Sequence, residues 1–168
     1  MGRRYRYVGP DDVRRAAGGG TGTGIRGVAD LERWLADAEA GEPATFVVTL
    51  DGVLRLAPRR SEHVACAEGA DVLAAGEMGF DGTDVSAVSN QSTGYCPDPD
   101  SWPAVAASLE RAGIAHPGRY TDLITFRRCE HCGERNIVRD GDFTCAVCGG
   151  TLPEQWNFAG ASGLGPAR

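Results

Sequence analysis

Lysine is missing from this chain. Every basic side chain is an arginine, and 17 of them face 23 aspartates and glutamates, for a formal net charge of −6. Non-specific attachment to nucleic acid is driven by neutralising phosphates, so nucleic acid is not the expected partner of so acidic a chain. Long apolar runs are missing too: no stretch approaches the roughly 20 apolar residues of a membrane span. The opening MGRRYRYVGP carries the charges of a secretory leader without the apolar segment that should follow them. A cytoplasmic protein with no membrane partner is therefore expected. No internal repeat is visible.

What remains suits one globular core with a small appendage: 168 residues, 42% of them hydrophobic. Distinct apolar blocks and a moderate net charge exclude a disordered chain. Arginine without lysine, among 24 glycines and many alanines, matches the codon bias of a GC-rich bacterial genome. A bacterial cytoplasm is reducing, which bears on the six cysteines.

Patterning then places the elements. YRYV at 5–8 reads as a short strand, and residues 11–17 as one or two helical turns behind Pro10. Residues 18–24 are glycine-rich and read as flexible. Gly22-Thr23-Gly24-Ile25-Arg26-Gly27 matches GxGxxG, but no strand is seen to feed into it, so a linker is the better reading than a dinucleotide loop. Over 28–40, Leu31, Trp34, Leu35 and Ala38 recur at helical spacing, and Gly41 with Pro43 ends that helix. Residues 45–50 and 53–57 read as strands about a two-residue Asp51-Gly52 turn. Residues 71–80 and 85–89 form a second hairpin. Ser101 should cap a helix running to about Ala112 and closed by Gly113, and residues 120–126 read as a further strand.

The clearest signal lies near the C-terminus. Cys129-Glu130-His131-Cys132-Gly133 and Cys145-Ala146-Val147-Cys148-Gly149 are two CxxCG knuckles, twelve residues apart. One tight turn presents two sulfurs to one metal, and four thiolates complete a zinc tetrahedron. Glycine after the second cysteine allows positive φ. Residues 136–139 and 143–144 read as a hairpin between the knuckles. Over 127–152 the segment resembles a zinc ribbon, which implies a structural Zn2+ held by Cys129, Cys132, Cys145 and Cys148, with His131 exposed. Arg127, Arg128, Arg135 and Arg139 flank the ribbon. They could reach phosphates, or they could solvate the ribbon and pair with Glu130, Glu134, Asp140 and Asp142. Hairpins rather than βαβ units predict an α+β fold: a mainly antiparallel sheet with two or three helices, plus this ribbon. The expected division is an α+β domain over 1–126, the ribbon over 127–153 and a fraying tail over 154–168.

The centre of the chain carries a second set of candidates. His63, Glu77, Asn90, Ser92 and Tyr95 stand at strand ends among small residues, where space beside polar groups can form a pocket. His63, Ala74-Ala75-Gly76-Glu77, Asn90, Ser92, Tyr95 and Pro97 are similar to a domain of bacterial toxin-related proteins and plant IQ-motif proteins. Its second strand ends in Asn-x-Ser-Gly-His-Tyr-x-Pro. Where that pattern has Gly-His, this chain has Thr93-Gly94, so the histidine is replaced. The resemblance implies a fold and a site location for residues 61–112.

Three functions follow as expectations. A binding module would take a small polar ligand or a protein segment through Asn90, Ser92 and Tyr95. An enzyme would use His63 and Glu77 as catalytic acid and base on a nucleotide-like substrate, which requires the two side chains to meet in one cleft. A ribbon adaptor would reach nucleic acid through its arginines. Cys66 and Cys96 read as small buried apolar residues.

Overall fold

A computed structural model describes residues 3–17, 20–38 and 42–158. They belong to two compact units, Met1–Leu123 and Ile124–Arg168. The division falls after Leu123 rather than after Phe126, because Thr125 and Phe126 pair with Val138 and Ile137 in the second unit.

The first unit is α+β. Its strands are β1 (Thr23–Ile25), β2 (Ala44–Thr49), β3 (Leu54–Ala57), β4 (Val72–Asp81) and β5 (Asp84–Val88). They form one sheet in the order β1-β3-β2-β4-β5, with every neighbouring pair antiparallel. Its described helices are α1 (Asp11–Ala16), α2 (Val28–Asp37), the single turn α3 (His63–Cys66) and α4 (Trp102–Ala112). β2 lies in the middle of the sheet and is covered on both faces, so ATFVVT has no exposed side: Ala44 to Val48 are all buried. Phe46 and Val48 point into the main core with Leu54, Leu56, Ala74 and Met78. Leu31 of α2 and Val105, Leu109 and Ala112 of α4 close that layer. Thr45 and Val47 alternate to the other face, where α3 contacts β2 and β3.

Several local expectations change. The β2–β3 loop has three residues, not two: Thr49 and Val53 still exchange a backbone bond of 3.0 Å, and Gly52 sits at φ 84°, the positive-φ position that ends such a loop. The glycine-rich stretch is not all linker, since Thr23, Gly24 and Ile25 pair with Leu56, Arg55 and Leu54. Gly18 and Gly19 lie outside the described residues. Of YRYV, Tyr5 alone makes a bridge, to Val72. Residues 120–126 are not one strand: Tyr120 is buried in the core, and the strand begins only at Thr125.

At α4, Ser101 precedes the helix but its side chain does not cap it. Instead its hydroxyl donates to the Asp98 carbonyl and meets the Tyr120 hydroxyl, 2.7 Å in each case. Asp98 does the capping, accepting the Asp100 amide at the 3-10 turn Pro99–Ser101. α3 is a single turn whose Val64, Ala65 and Cys66 are buried. It adds a fourth described helix to the two or three expected.

The second unit contains β6 (Thr125–Arg128) and β7 (Arg135–Val138), an antiparallel pair. The first knuckle is their connecting loop. β7 therefore pairs backwards with β6, not forwards with residues 143–144 as expected. Arg139 and Asp142 make a single bridge. Residues 154–158 do not fray. The Asn157 side chain accepts the Arg128 amide at 2.8 Å and donates to the Arg128 carbonyl at 2.7 Å, while Phe158 is buried under the Arg128 guanidinium. The remainder of the expected tail lies outside the described residues.

Candidate functional site

The two knuckles are built alike, bond for bond. Cys129 donates its amide to the Glu134 carbonyl (2.8 Å), and Cys145 donates its own to Gly150 (2.7 Å). Gly133 returns a bond to the Cys129 carbonyl (2.9 Å), and Gly149 to Cys145 (3.0 Å). Both returns need a left-handed residue, supplied by Gly133 at φ 82° and Gly149 at φ 78°. The His131 and Val147 amides each point at the first sulfur of their knuckle, 3.4 Å away.

This twinning brings four sulfurs together. Cys129 Sγ is 3.5 Å from Cys148 Sγ, and Cys132 Sγ is 3.7 Å from Cys145 Sγ. All four lie within 4.8 Å of one another. A tetrahedral ion with metal–sulfur bonds of about 2.3 Å sets its sulfurs about 3.8 Å apart. The spacing fits such an ion and is too long for disulfides, whose sulfurs stand about 2.05 Å apart. These residues could hold a metal ion.

The surrounding groups favour thiolates at two of the four positions. The Cys148 amide, with help from Asn136, draws the Cys145 thiol down to about 6. The Cys132 amide lowers Cys129. The Glu134 amide pulls at Cys132, yet burial and the neighbouring sulfurs push it up to about 12. Cys148 is raised as well, against the pull of the Gly150 amide, because the Cys129 sulfur and burial oppose it. Four thiols this close compete for one another's protons, and a cation in their midst removes that competition.

Sequence reasoning missed Asn136. Its Nδ2 donates to Cys145 Sγ (3.4 Å) and to the Glu134 carbonyl (3.1 Å), while its Oδ1 accepts the Ala146 amide (2.9 Å). It links both knuckles, and only the folded β6–β7 pair puts it there. Of the flanking arginines, Arg127 donates to the carbonyls of Phe126, Pro153 and Glu154, and Arg128 donates to that of Gly133. Both hold the chain to itself. His131 is exposed, with its ring beside Gly150.

The central candidates are placed differently. His63 opens α3, with Nε2 2.8 Å from the Gly76 carbonyl. A carbonyl only accepts, so Nε2 carries the proton. Burial lowers the His63 pKa, and the Gly76 bond opposes the shift without reversing it. Gly76 leaves no space, because a Cβ there would lie 1.8 Å from the Ser89 carbonyl oxygen. Asn90 is buried and donates to the Pro97 carbonyl at 3.0 Å. Ser92 accepts the Tyr95 amide at 3.3 Å. The Tyr95 hydroxyl donates to the Ala70 carbonyl at 2.7 Å, and burial pushes its pKa up. These residues lock the loops that surround them.

Glu77 follows Gly76, opposite Thr45 of β2. Among the described residues, no hydrogen bond or ion pair joins it to His63. Cys66 and Cys96 are both buried thiols, and burial pushes the Cys66 thiol up to about 12.

Open space lies elsewhere in the first unit. A cleft of about 650 Å³ runs between α2, the β1 region and the turn after β3. Trp34, Asp37 and Glu42 line one part of it, Thr21 and Thr23 another, and Arg59 and Arg60 a third. None of the five central candidates lines it. The arginine turn is pinned from behind: the Thr45 hydroxyl lies 3.2 Å from the Arg59 carbonyl and 3.3 Å from that of Ser61. Asp30 pairs with Arg33 on the same wall. Arg59 and Arg60 form no ion pair with any described residue. Sequence alone held little trace of this cleft, because its walls come from segments far apart along the chain. No described helix is long and apolar enough to cross a membrane.

No family model, curated protein or solved structure matches this chain.

Proposed function

We propose that the protein is a small-ligand-binding α+β module whose C-terminal unit is held by one structural zinc ion. The cleft beside Trp34 carries the binding part. It combines volume in the range of small-molecule sites, about 300–1,000 Å³, with an indole and two guanidiniums that lack ion-pair partners among the described residues. The spacing of Cys129, Cys132, Cys145 and Cys148 supports the zinc. Four thiolates fill a tetrahedral ion's coordination, so the ion would fasten chain to chain and leave no position for substrate. Such a set belongs in a reducing compartment such as the bacterial cytoplasm.

The enzyme reading is weaker, because the His63 ring is buried against the Gly76 carbonyl and no hydrogen bond joins it to Glu77 among the described residues. The adaptor reading is weaker too, because Arg127 and Arg128 are engaged with backbone carbonyls. Native mass spectrometry of the purified protein tests the proposal. One zinc per chain with a small-molecule adduct is the expected result. A metal-free chain that is still fully ordered would contradict the zinc, and a cleft silent to every small polar compound offered would contradict the binding.

A further inference from the structure

We infer that the cleft takes a mononucleotide, with its phosphate at Arg59 and Arg60, its base against Trp34 and the donor edge of that base toward Asp37. This rests on the binding reading above and names its ligand class. Two adjacent guanidiniums on one turn offer several N–H donors in fork geometry, which suits a dianion better than a single carboxylate. Their turn is anchored by Thr45, so the donors start from a fixed backbone.

The α2 side of the cleft calls for a second kind of group. Trp34 is half-buried, with part of its ring packed on the core and part lining the cleft. A flat ring stacks well on such a surface. Asp37 and Glu42 are exposed and form no ion pair with any described residue, so their carboxylates are open to a ligand's donors. A simple aromatic acid such as benzoate supplies an anion and a ring but no N–H for those carboxylates, and only a single carboxylate for the two guanidiniums. A simple sugar phosphate supplies no ring. A nucleobase with an exocyclic amine, joined to a phosphate, supplies all three, and its ribose hydroxyls can meet Thr21 and Thr23.

Titration of the metal-loaded full chain with adenosine 5′-monophosphate tests the inference, read by calorimetry and by amide chemical shifts. Adenosine and inorganic phosphate are expected to bind at least about tenfold more weakly, since each lacks one anchor. Arg59→Ala with Arg60→Ala should weaken the monophosphate by about tenfold or more, leave adenosine unchanged and leave the melting temperature unchanged. Added salt should reproduce part of that loss. Trp34→Leu should weaken monophosphate and adenosine alike. If that variant is not folded, the exposed arginine pair decides the matter alone. Monophosphate affinity unaffected by the arginine changes would overturn the inference. If the monophosphate is silent while another small polar compound shifts the cleft amides, the ligand class fails and the binding reading stands. If a broad panel shifts none of them, both fail.

Discussion

In the first unit the side chains of Phe46, Val48, Leu54, Leu56, Met78, Leu31 of α2 and Leu109 of α4 meet between the sheet and these two helices, all of them fully buried. In the second, the buried cluster around the sulfurs is, among the described residues, Cys129, Cys145 and Leu152, with Val138 and Phe143 packed beside it. Burial of apolar surface stabilises in proportion to area, about 25 cal/mol per Å². A five-stranded sheet gathers much of it, two short strands and two loops far less. The second unit instead repeats one loop geometry twice and aims four sulfurs at a point. The contrast predicts where each unit is most sensitive: the first in its apolar core, the second at the knuckles and at Asn136, which links them.

Replacing a ligand should break the contrast most sharply. On the proposed zinc reading, Cys132→Ser should release the ion and unfold residues 124–158, a loss approaching the roughly 10 kcal/mol that a structural zinc supplies. Metal analysis and amide spectra would show the first unit intact, and one zinc retained per chain would contradict this. Phe46→Ala should do the reverse. Its ring is fully buried, so about 3–5 kcal/mol of stability should go, seen as a fall in the denaturation midpoint of the first unit with the metal still bound.

Asn136→Ala should have a smaller effect. It removes the donor to Cys145 while leaving all four ligands in place, so metal affinity should fall about 10- to 100-fold without unfolding. Competition against a chelator measures it.

The smallest expected effect belongs to the first unit's response to acid. Burial holds the folded pKa of His63 below its ordinary value, about 6.5 in an unfolded chain. As pH falls, the unfolded state takes up that proton first. Stability is therefore full above about pH 6.5 and declines as pH drops toward the folded value. Denaturant titrations of the first unit at several pH values should show the decline, and His63→Gln should flatten it. The second unit's response must be followed by its own signals.

Periodicity revealed the first unit's framework and spacing revealed the second's. Leu31, Trp34 and Leu35 mark α2 through a pattern internal to the segment, and the two knuckles announce themselves because both ligands of each pair are local. The antiparallel character of the sheet followed from hairpins read in the same way. What escaped depends on contacts between distant residues. β1 pairs across to β3 through Gly24 and Arg55, and a run of glycines conceals that strand. Residues 120–126 have strand-like composition, yet β6 starts later because its partner is β7. Asn90, Ser92 and Tyr95 are polar and surrounded by small residues, which from sequence suggests a pocket. Gly76 is small because the Ser89 backbone crosses it, so there the small residue marks close packing rather than space.

Amide hydrogen exchange on the intact protein, before and after a strong chelator removes the metal, tests the division between the units most directly. Stripping should abolish protection across residues 124–158 and leave the strands β2, β3 and β4 protected as before. Undiminished protection at Cys129, Asn136 and Cys145 in the metal-free chain would contradict the account.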